Sequence, residues 1–261
     1  MVRRRFGQIG LDAEIGQRLV GWMLVGGIIG AHLFSVLFYF PHKLRDDPWL
    51  LLRFWEDISS FGGMLGGVIG AALFLRTRPE TEERQRMLGY LDAVAFVFPS
   101  ALAIGRIGCA LAHDHPGVVT KFPLAISLKT EAAREYIAGF SGAASIQSLP
   151  TAPAMGFHDL GLYELLFLVF VVLPAFAYWN RRRRRTGFYL IAFSALYFPV
   201  RFGLDMLRVS DARYLSLTPA QWAAGLIMVA LLLVLMRDRR RRMAIGGVFI
   251  LATACACWGG S

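Results

Sequence analysis

Residues 160–208 read LGLYELLFLVFVVLPAFAYWN, then RRRRR, then TGFYLIAFSALYFPVRFGLDMLR. The first block is apolar from Leu160 to Trp179, with Glu164 as its one charged residue. About 20 residues of helix, rising 1.5 Å each, cross the roughly 30 Å of a bilayer's hydrocarbon. Five consecutive arginines, Arg181–Arg185, then halt the run, and a second run of similar length, Gly187–Leu207, follows. Two membrane-length apolar blocks joined by a cationic stop predict a helical hairpin in lipid, because a helix satisfies its own backbone there.

Outward from this hairpin, four more runs have the same character: Leu19–Phe40, Ile58–Leu75, Leu88–Ala112 and Ala220–Met236. The expected fold class is therefore all-α, a polytopic integral membrane bundle of six transmembrane helices. A seventh helix is added if Met243–Cys257, only 15 residues long, also crosses. The first run is too long for a secretory signal and lacks a cleavage pattern. Residues 1–242 are expected to form one transmembrane domain, including an extracytoplasmic cap over 113–159 with a short helix near Thr130–Phe140. Residues 243–261 would be an added apolar segment.

Composition agrees with a bilayer. The 261 residues are 56% hydrophobic and 18% charged, with a mean hydropathy of +0.51 and a net charge of +10. Soluble domains run near 45–50% apolar and 25% charged. The excess charge does not mark a nucleic-acid partner, since such a face would be solvated. Disorder is excluded by the apolar content. The 3 cysteines are too few and unevenly placed for a disulfide framework. Instead, the cations sort by loop. Arg3, Arg4, Arg5 and Arg18, then Arg76, Arg78, Arg84 and Arg86, then Arg181–Arg185, then Arg237 and Arg239–Arg242 fall in every second loop. The positive-inside rule places those loops in the cytoplasm.

Arg106 and Arg201 are the two basic residues inside spans. Intramembrane charges are costly and face a bundle interior or a wet cavity. In the expected topology Arg106, Glu164, Arg201 and Asp205 share one depth on the outer side. Arg106 is about 9 Å below the interface at 1.5 Å per residue. Asp92 lies near the inner end, apart from them. Tyr197, Arg201, Asp205 and Arg208 recur at helical spacing and share a face. Arg201 and Asp205 could simply neutralise each other. A second arginine at the same depth points instead to a phosphate, which guanidinium binds through two parallel hydrogen bonds.

The run Gly105-Arg-Ile-Gly-Cys-Ala-Leu-Ala-His-Asp-His-Pro-Gly117 ends the third span. Gly105 and Gly108 allow a headgroup or a backbone to approach the arginine. His113, Asp114 and His115 are three adjacent polar residues at a helix end, a pattern usually solvated, so no metal or other cofactor is expected.

These residues resemble the prolipoprotein diacylglyceryl transferase family. The resemblance rests on four stretches in order. Val36-Leu-Phe-Tyr39 leads through Pro41, Asp47-Pro48 and Phe54-Trp55 to Gly62-Gly63. Gly105-Arg-Ile-Gly108 closes at Gly117. His158 precedes Leu162-Tyr163-Glu164. Tyr197 and Arg201-Phe202 lead to Asp205, Arg208 and Gln221-Trp222. Together they cover roughly residues 19–238.

The resemblance implies an enzyme that moves a diacylglyceryl group from phosphatidylglycerol to the lipobox cysteine thiol of a preprolipoprotein. It implies the bacterial inner membrane, with the active site facing the outer leaflet. It also implies phosphatidylglycerol, preprolipoprotein signal peptides and membrane lipid as partners. Arg106 and Arg201 would bind the phosphate and stabilise the leaving group, with His158 as a candidate base. Gly62, Gly63, Gly105, Gly108, Asp114, Gly117, Glu164, Tyr197, Asp205 and Arg208 would bind or orient substrate.

Several positions depart from the family. Phe61 stands where the family carries His before the glycine pair. Cys109 and Ala112 replace asparagines, Asp114 replaces a glutamate, and His32 matches an arginine. The family's first span has no counterpart before Leu19. His158 and His32 are then the histidines left as bases. A non-catalytic relative that binds phospholipid or lipoprotein signals, and a small-anion transporter, remain as alternatives.

Overall fold

In the computed structural model, residues 1–54, 56, 58–77, 81–127, 156–208 and 213–237 are described. Each of the six expected runs is helical. Three helical stretches, Ala13–Tyr39, Arg86–Ala112 and Leu160–Trp179, are long and apolar enough to cross a membrane, and Ser60–Arg76 and Pro219–Val234 are shorter apolar helices. The expected helix near Thr130–Phe140, Trp55 and the Met243–Cys257 run lie outside the described residues.

The backbone falls into two compact units, Met1–Val97 with Arg185–Leu190, and Phe98–Arg184 with Ile191–Ser261.

In the first unit, α1 (Val2–Gln8), α2 (Ala13–Phe34), α3 (Pro41–Asp46) and α4 (Ser60–Arg76) precede the first part of α5 (Thr81–Ala112). α1 forms ahead of the first expected run, Leu19–Phe40. Its Phe6 is fully enclosed, packed with Leu19, Phe74, Met87 and Tyr90. Gly16 makes room for the Phe6 ring, which a Cβ would strike. Asp12 caps α2 by accepting from Glu14 N at 2.7 Å and Ile15 N at 3.2 Å. α2 and α4 pack backbone against backbone: Cβ atoms on Gly26, Gly30, Gly62, Gly66 or Gly70 would overlap the facing helix. That is the small-residue packing of membrane helices, where close van der Waals contact replaces the hydrophobic drive. Gly62, expected as a substrate contact, lies at this seam beside Gly30 and Phe34, and Gly63 lies beside Ala31. Asp92 accepts from Leu190 N at 3.0 Å and so serves a helix start.

In the second unit, α5 continues to Ala112 and three strands follow: β1 (Pro116–Thr120), β2 (Ala125–Ser127) and β3 (Gly156–Asp159). They form an antiparallel sheet of order β1-β3-β2, with an irregularity between Pro116 and Val119. The all-helical expectation therefore needs one correction, in the region read as a cap. These strands are too short to show an alternating pattern, and β3 runs directly into helix. α6 (Leu160–Phe167) and α7 (Leu173–Trp179) are joined by a π turn, Leu168–Val172, and are followed by α8 (Phe188–Met206) and α9 (Pro219–Arg237).

Candidate active site

Arg106 sits on α5, Glu164 on α6, and Tyr197, Arg201 and Asp205 on α8. All five are almost wholly enclosed: Arg106 is 2% exposed, Glu164 1%, Tyr197 1%, Arg201 5% and Asp205 0%. Charges enclosed to this degree persist only when paired, because removing an ion from water costs several kcal/mol. The pairing forms a chain of alternating sign. Glu164 Oε1 lies 2.9 Å from Arg106 Nε, and Oε2 lies 3.3 Å from Arg201. Arg201 also reaches Asp205 Oδ1 at 3.0 Å, and Arg208 approaches the same oxygen at 3.9 Å. Each carboxylate is thus shared between two guanidinium groups. The i, i+4 spacing of Arg201 and Asp205 is the one expected from the sequence.

Tyr197 donates its hydroxyl to Glu164 Oε1 at 2.6 Å and stacks on Phe193 at 4.9 Å. The ring thereby orients the carboxylate that orients both arginines. Thr218 donates its hydroxyl to Asp205 Oδ2. Thr218 also starts α9, with Gln221 N donating to Thr218 Oγ1 at 3.2 Å and Thr218 N donating to Gln221 Oε1 at 3.0 Å. This is a capping box, with proline at the first helical position. The sequence reading quoted Gln221 but missed Thr218; its signal was Thr-Pro-Ala-Gln before an apolar run.

One end of the site is built by the sheet. Asp159 caps α6, accepting from Leu162 N at 3.0 Å, and takes a bond from His113 Nδ1 at 2.7 Å. Gly117 bridges to Arg208, and Val118 N donates to Leu207 O at 2.8 Å. A Cβ at Gly117 would stand 3.0 Å from both His158 Cβ and Leu207 O, so this strand passes α8 only as glycine. Gly105 and Gly108 differ: a Cβ on either meets nothing within 4 Å.

The histidines separate. His158 Nδ1 is 2.9 Å from the Tyr163 hydroxyl, and among the described residues no hydrogen bond joins it to the arginine chain. Burial pushes its imidazole below the ordinary range. His32, in the first unit, has both ring nitrogens on backbone carbonyls, those of Glu56 at 2.8 Å and Leu50 at 2.9 Å. It is enclosed and structural. Phe61 is buried against Phe34, with ring centroids 5.5 Å apart. An apolar contact therefore stands at the position where the resemblance leads one to expect a histidine.

One cluster was not foreseen. Cys109, Asp114 and His115 each offer one ligand atom, all within 4.8 Å of one another. Of the three adjacent polar residues His113, Asp114 and His115, His113 turns away to Asp159. Burial works to raise the Asp114 carboxyl, but the bond and charge of His115 and the charge of Arg106 hold it below the usual carboxylate range. Burial lowers the His115 imidazole, the nearby Arg208 and Arg106 guanidinium groups act in the same direction, and the bond to Asp114 only partly offsets them. Arg106 donates to Cys109 Sγ at 3.7 Å.

A family model described as "Prolipoprotein diacylglyceryl transferase" matches residues 1–254. The chain is 30% identical over 214 residues to the phosphatidylglycerol–prolipoprotein diacylglyceryl transferase of Chromohalobacter salexigens, covering 80% of this chain and 69% of that protein. It is 27% identical over 195 residues to the protein of the same name from Teredinibacter turnerae, covering 74% and 59%. With that of Pseudomonas entomophila it shares 29% over 234 residues, covering 89% and 74%. The chain thus spans between 59% and 74% of the length of these three relatives.

Proposed function

The chain belongs to the prolipoprotein diacylglyceryl transferase family, and from that premise we propose that it transfers a diacylglyceryl group from phosphatidylglycerol to a lipobox cysteine. The acceptor thiol belongs to a preprolipoprotein signal peptide. The site opens toward the outer leaflet of the bacterial inner membrane, and six helices span, with Met243–Cys257 as a candidate seventh.

One observation carries this reading: the enclosed chain Arg106–Glu164–Arg201–Asp205–Arg208. A phosphodiester headgroup bears one negative charge. When its glyceryl C–O bond breaks, the departing glycerol phosphate acquires a second. Guanidinium groups held in place before the reaction stabilise that growing charge without reorganising, which is where preorganised electrostatics contributes most. Glu164 and Asp205 orient the arginines, Tyr197 locks Glu164, and Thr218 locks Asp205. Asp114, Gly105, Gly108 and Gly117 border the phosphate and the acceptor, whereas Gly62 and Gly63 serve the α2–α4 seam. His158 orders the aromatic group with Tyr163 and Phe122 beside the sheet.

The test combines the purified protein, phosphatidylglycerol vesicles and a lipobox peptide, with mass spectrometry of the peptide. A diacylglyceryl thioether is the expected product. Lipid binding without product would replace this reading by that of a non-catalytic binder.

A further inference from the structure

We propose that Cys109, Asp114 and His115 form a zinc site whose open fourth position takes the acceptor cysteine thiol. The inference rests on the transferase reading and supplies the thiol activation which that reading leaves unassigned.

The fold brings the three residues together. Cys109 lies in the last turn of α5, which ends at Ala112. His113 then adopts φ +50, a left-handed conformation rare for a residue with a Cβ. That turn folds the chain back, so Asp114 and His115 come over Cys109 instead of continuing away from it. The turn is pinned on both sides. His113 is held by Asp159, 1% exposed, and the His115 carbonyl accepts from Leu160 N at 3.2 Å. The ligand-bearing backbone is therefore set by its neighbours before any ion arrives.

The donor set selects the ion. Thiolate, imidazole and carboxylate suit zinc; magnesium and calcium prefer all-oxygen sites. Three protein ligands with a vacant fourth position is the arrangement of catalytic zinc, whereas structural zinc has four. Ligand atoms around a tetrahedral zinc stand about 3.5 Å apart. Atoms already within 4.8 Å of one another reach that spacing by side-chain rotation. Asp114 and His115 already bond each other, and the ion takes the place of that hydrogen.

Charge agrees with this. With Cys109 ionised, the Cys109 and Asp114 anions neutralise a divalent ion, so the centre adds no net charge beside Arg106, whose guanidinium is 3.7 Å from Cys109 Sγ, and Arg208, whose charge acts on His115. A thiolate in the fourth position makes the centre anionic, which Arg106 favours.

The reaction then balances. Cys109 gives its proton to solvent as the ion binds, and the acceptor thiol gives its own on entering the fourth position, so the metal holds both sulfurs as thiolates. A sulfur lone pair forms the S–C bond to the carbon of the diacylglyceryl group that bears the phosphate ester. The C–O bond breaks, its electron pair goes to the phosphate oxygen, and glycerol phosphate leaves toward the arginines. The thioether is neutral and dissociates from zinc. No group is oxidised or reduced. This activation answers a specific gap, since Phe61 is packed in an apolar contact, His32 meets carbonyls through both ring nitrogens, and among the described residues no hydrogen bond joins His158 to the arginine chain.

The full chain in detergent, stripped with chelator and titrated with Co²⁺, tests the proposal. One equivalent should bind with a thiolate-to-cobalt charge-transfer band, and Zn²⁺ should displace it. A lipobox peptide should strengthen the band, and the same peptide with serine for cysteine should not. Cys109→Ser should abolish the charge-transfer band, and His115→Ala should weaken binding about tenfold or more, both with unchanged helical circular dichroism. Substoichiometric cobalt, an undiminished band in C109S, or a band indifferent to the peptide thiol would overturn the site. Equal thioether yield before and after metal removal overturns the zinc role and leaves the transferase reading intact. Metal and thiol binding with no thioether from phosphatidylglycerol sinks the transferase reading and leaves the metal site standing.

Discussion

Arg106 and Glu164 meet at 2.9 Å, nitrogen to oxygen, with side chains 2% and 1% exposed. The other oxygen of the same carboxylate engages Arg201. Two helices distant in sequence are thus tied through a third, and the tie is electrostatic. The consequences can be measured one residue at a time.

Arg106→Ala and Arg201→Ala should each lower thioether formation by about 10²–10³-fold, the usual effect of losing one preorganised donor to a developing anion. Lysine should rescue neither, because a point ammonium cannot reproduce the guanidinium fork that Arg201 sends to Glu164 and Asp205. Turnover near wild type in either alanine variant, read by mass spectrometry of the peptide, would remove the arginines from the phosphate role.

Glu164→Ala leaves two enclosed cations facing each other. Breaking a buried ion pair by deleting one partner costs about 3–5 kcal/mol. The thermal midpoint of the purified protein in detergent should fall by several degrees or more. Tyr197→Phe keeps the ring stack on Phe193 and removes only the 2.6 Å hydroxyl bond. It should cost stability far less than Glu164→Ala while still lowering turnover. Equal midpoints for wild type and Glu164→Ala would contradict the pairing.

Much of this arrangement was legible in sequence. Charges inside apolar runs are few, and counting residues from each span end put Arg106, Glu164, Arg201 and Asp205 at one depth. The 3.6-residue period then set Tyr197, Arg201 and Asp205 on one face. What escaped depended on contacts that periodicity does not carry. α1 exists because Phe6 finds the space left by Gly16. β2 and β3 pair across a long intervening segment. Cys109 meets Asp114 and His115 only because His113 takes a left-handed turn. Read in sequence as a solvated helix end, His113-Asp114-His115 instead divides: His113 turns to Asp159, while Asp114 and His115 gather with Cys109.

Gly117→Ala should destabilise by about 1–3 kcal/mol, the cost of overpacking a tight contact. The added carbon has a backbone oxygen, Leu207 O, on one side at 3.0 Å, and backbone yields little. A thermal shift within error of wild type would show that the strand can move away from α8.

His158 gives a pH signature. Burial lowers its pKa in the folded protein. As pH falls below about 6.5, the unfolded chain takes up the proton first. The stability this residue contributes is complete above that value and is lost as pH falls through the window down to the lowered folded value. The midpoint of thermal unfolding between pH 7 and pH 5 should therefore fall more steeply in wild type than in His158→Gln. Parallel curves would show that the imidazole titrates alike in both states.

The alternating ladder from Arg106 to Arg208 also constrains the substitutions by which such a protein can diverge. A single neutralising change strands a neighbour of opposite sign, whereas two adjacent changes that cancel leave the remainder balanced. Arg106→Met combined with Glu164→Gln is thus a smaller step in stability than Glu164→Gln alone. Lineages would traverse this site by compensated pairs, each leaving the rest of the ladder in place.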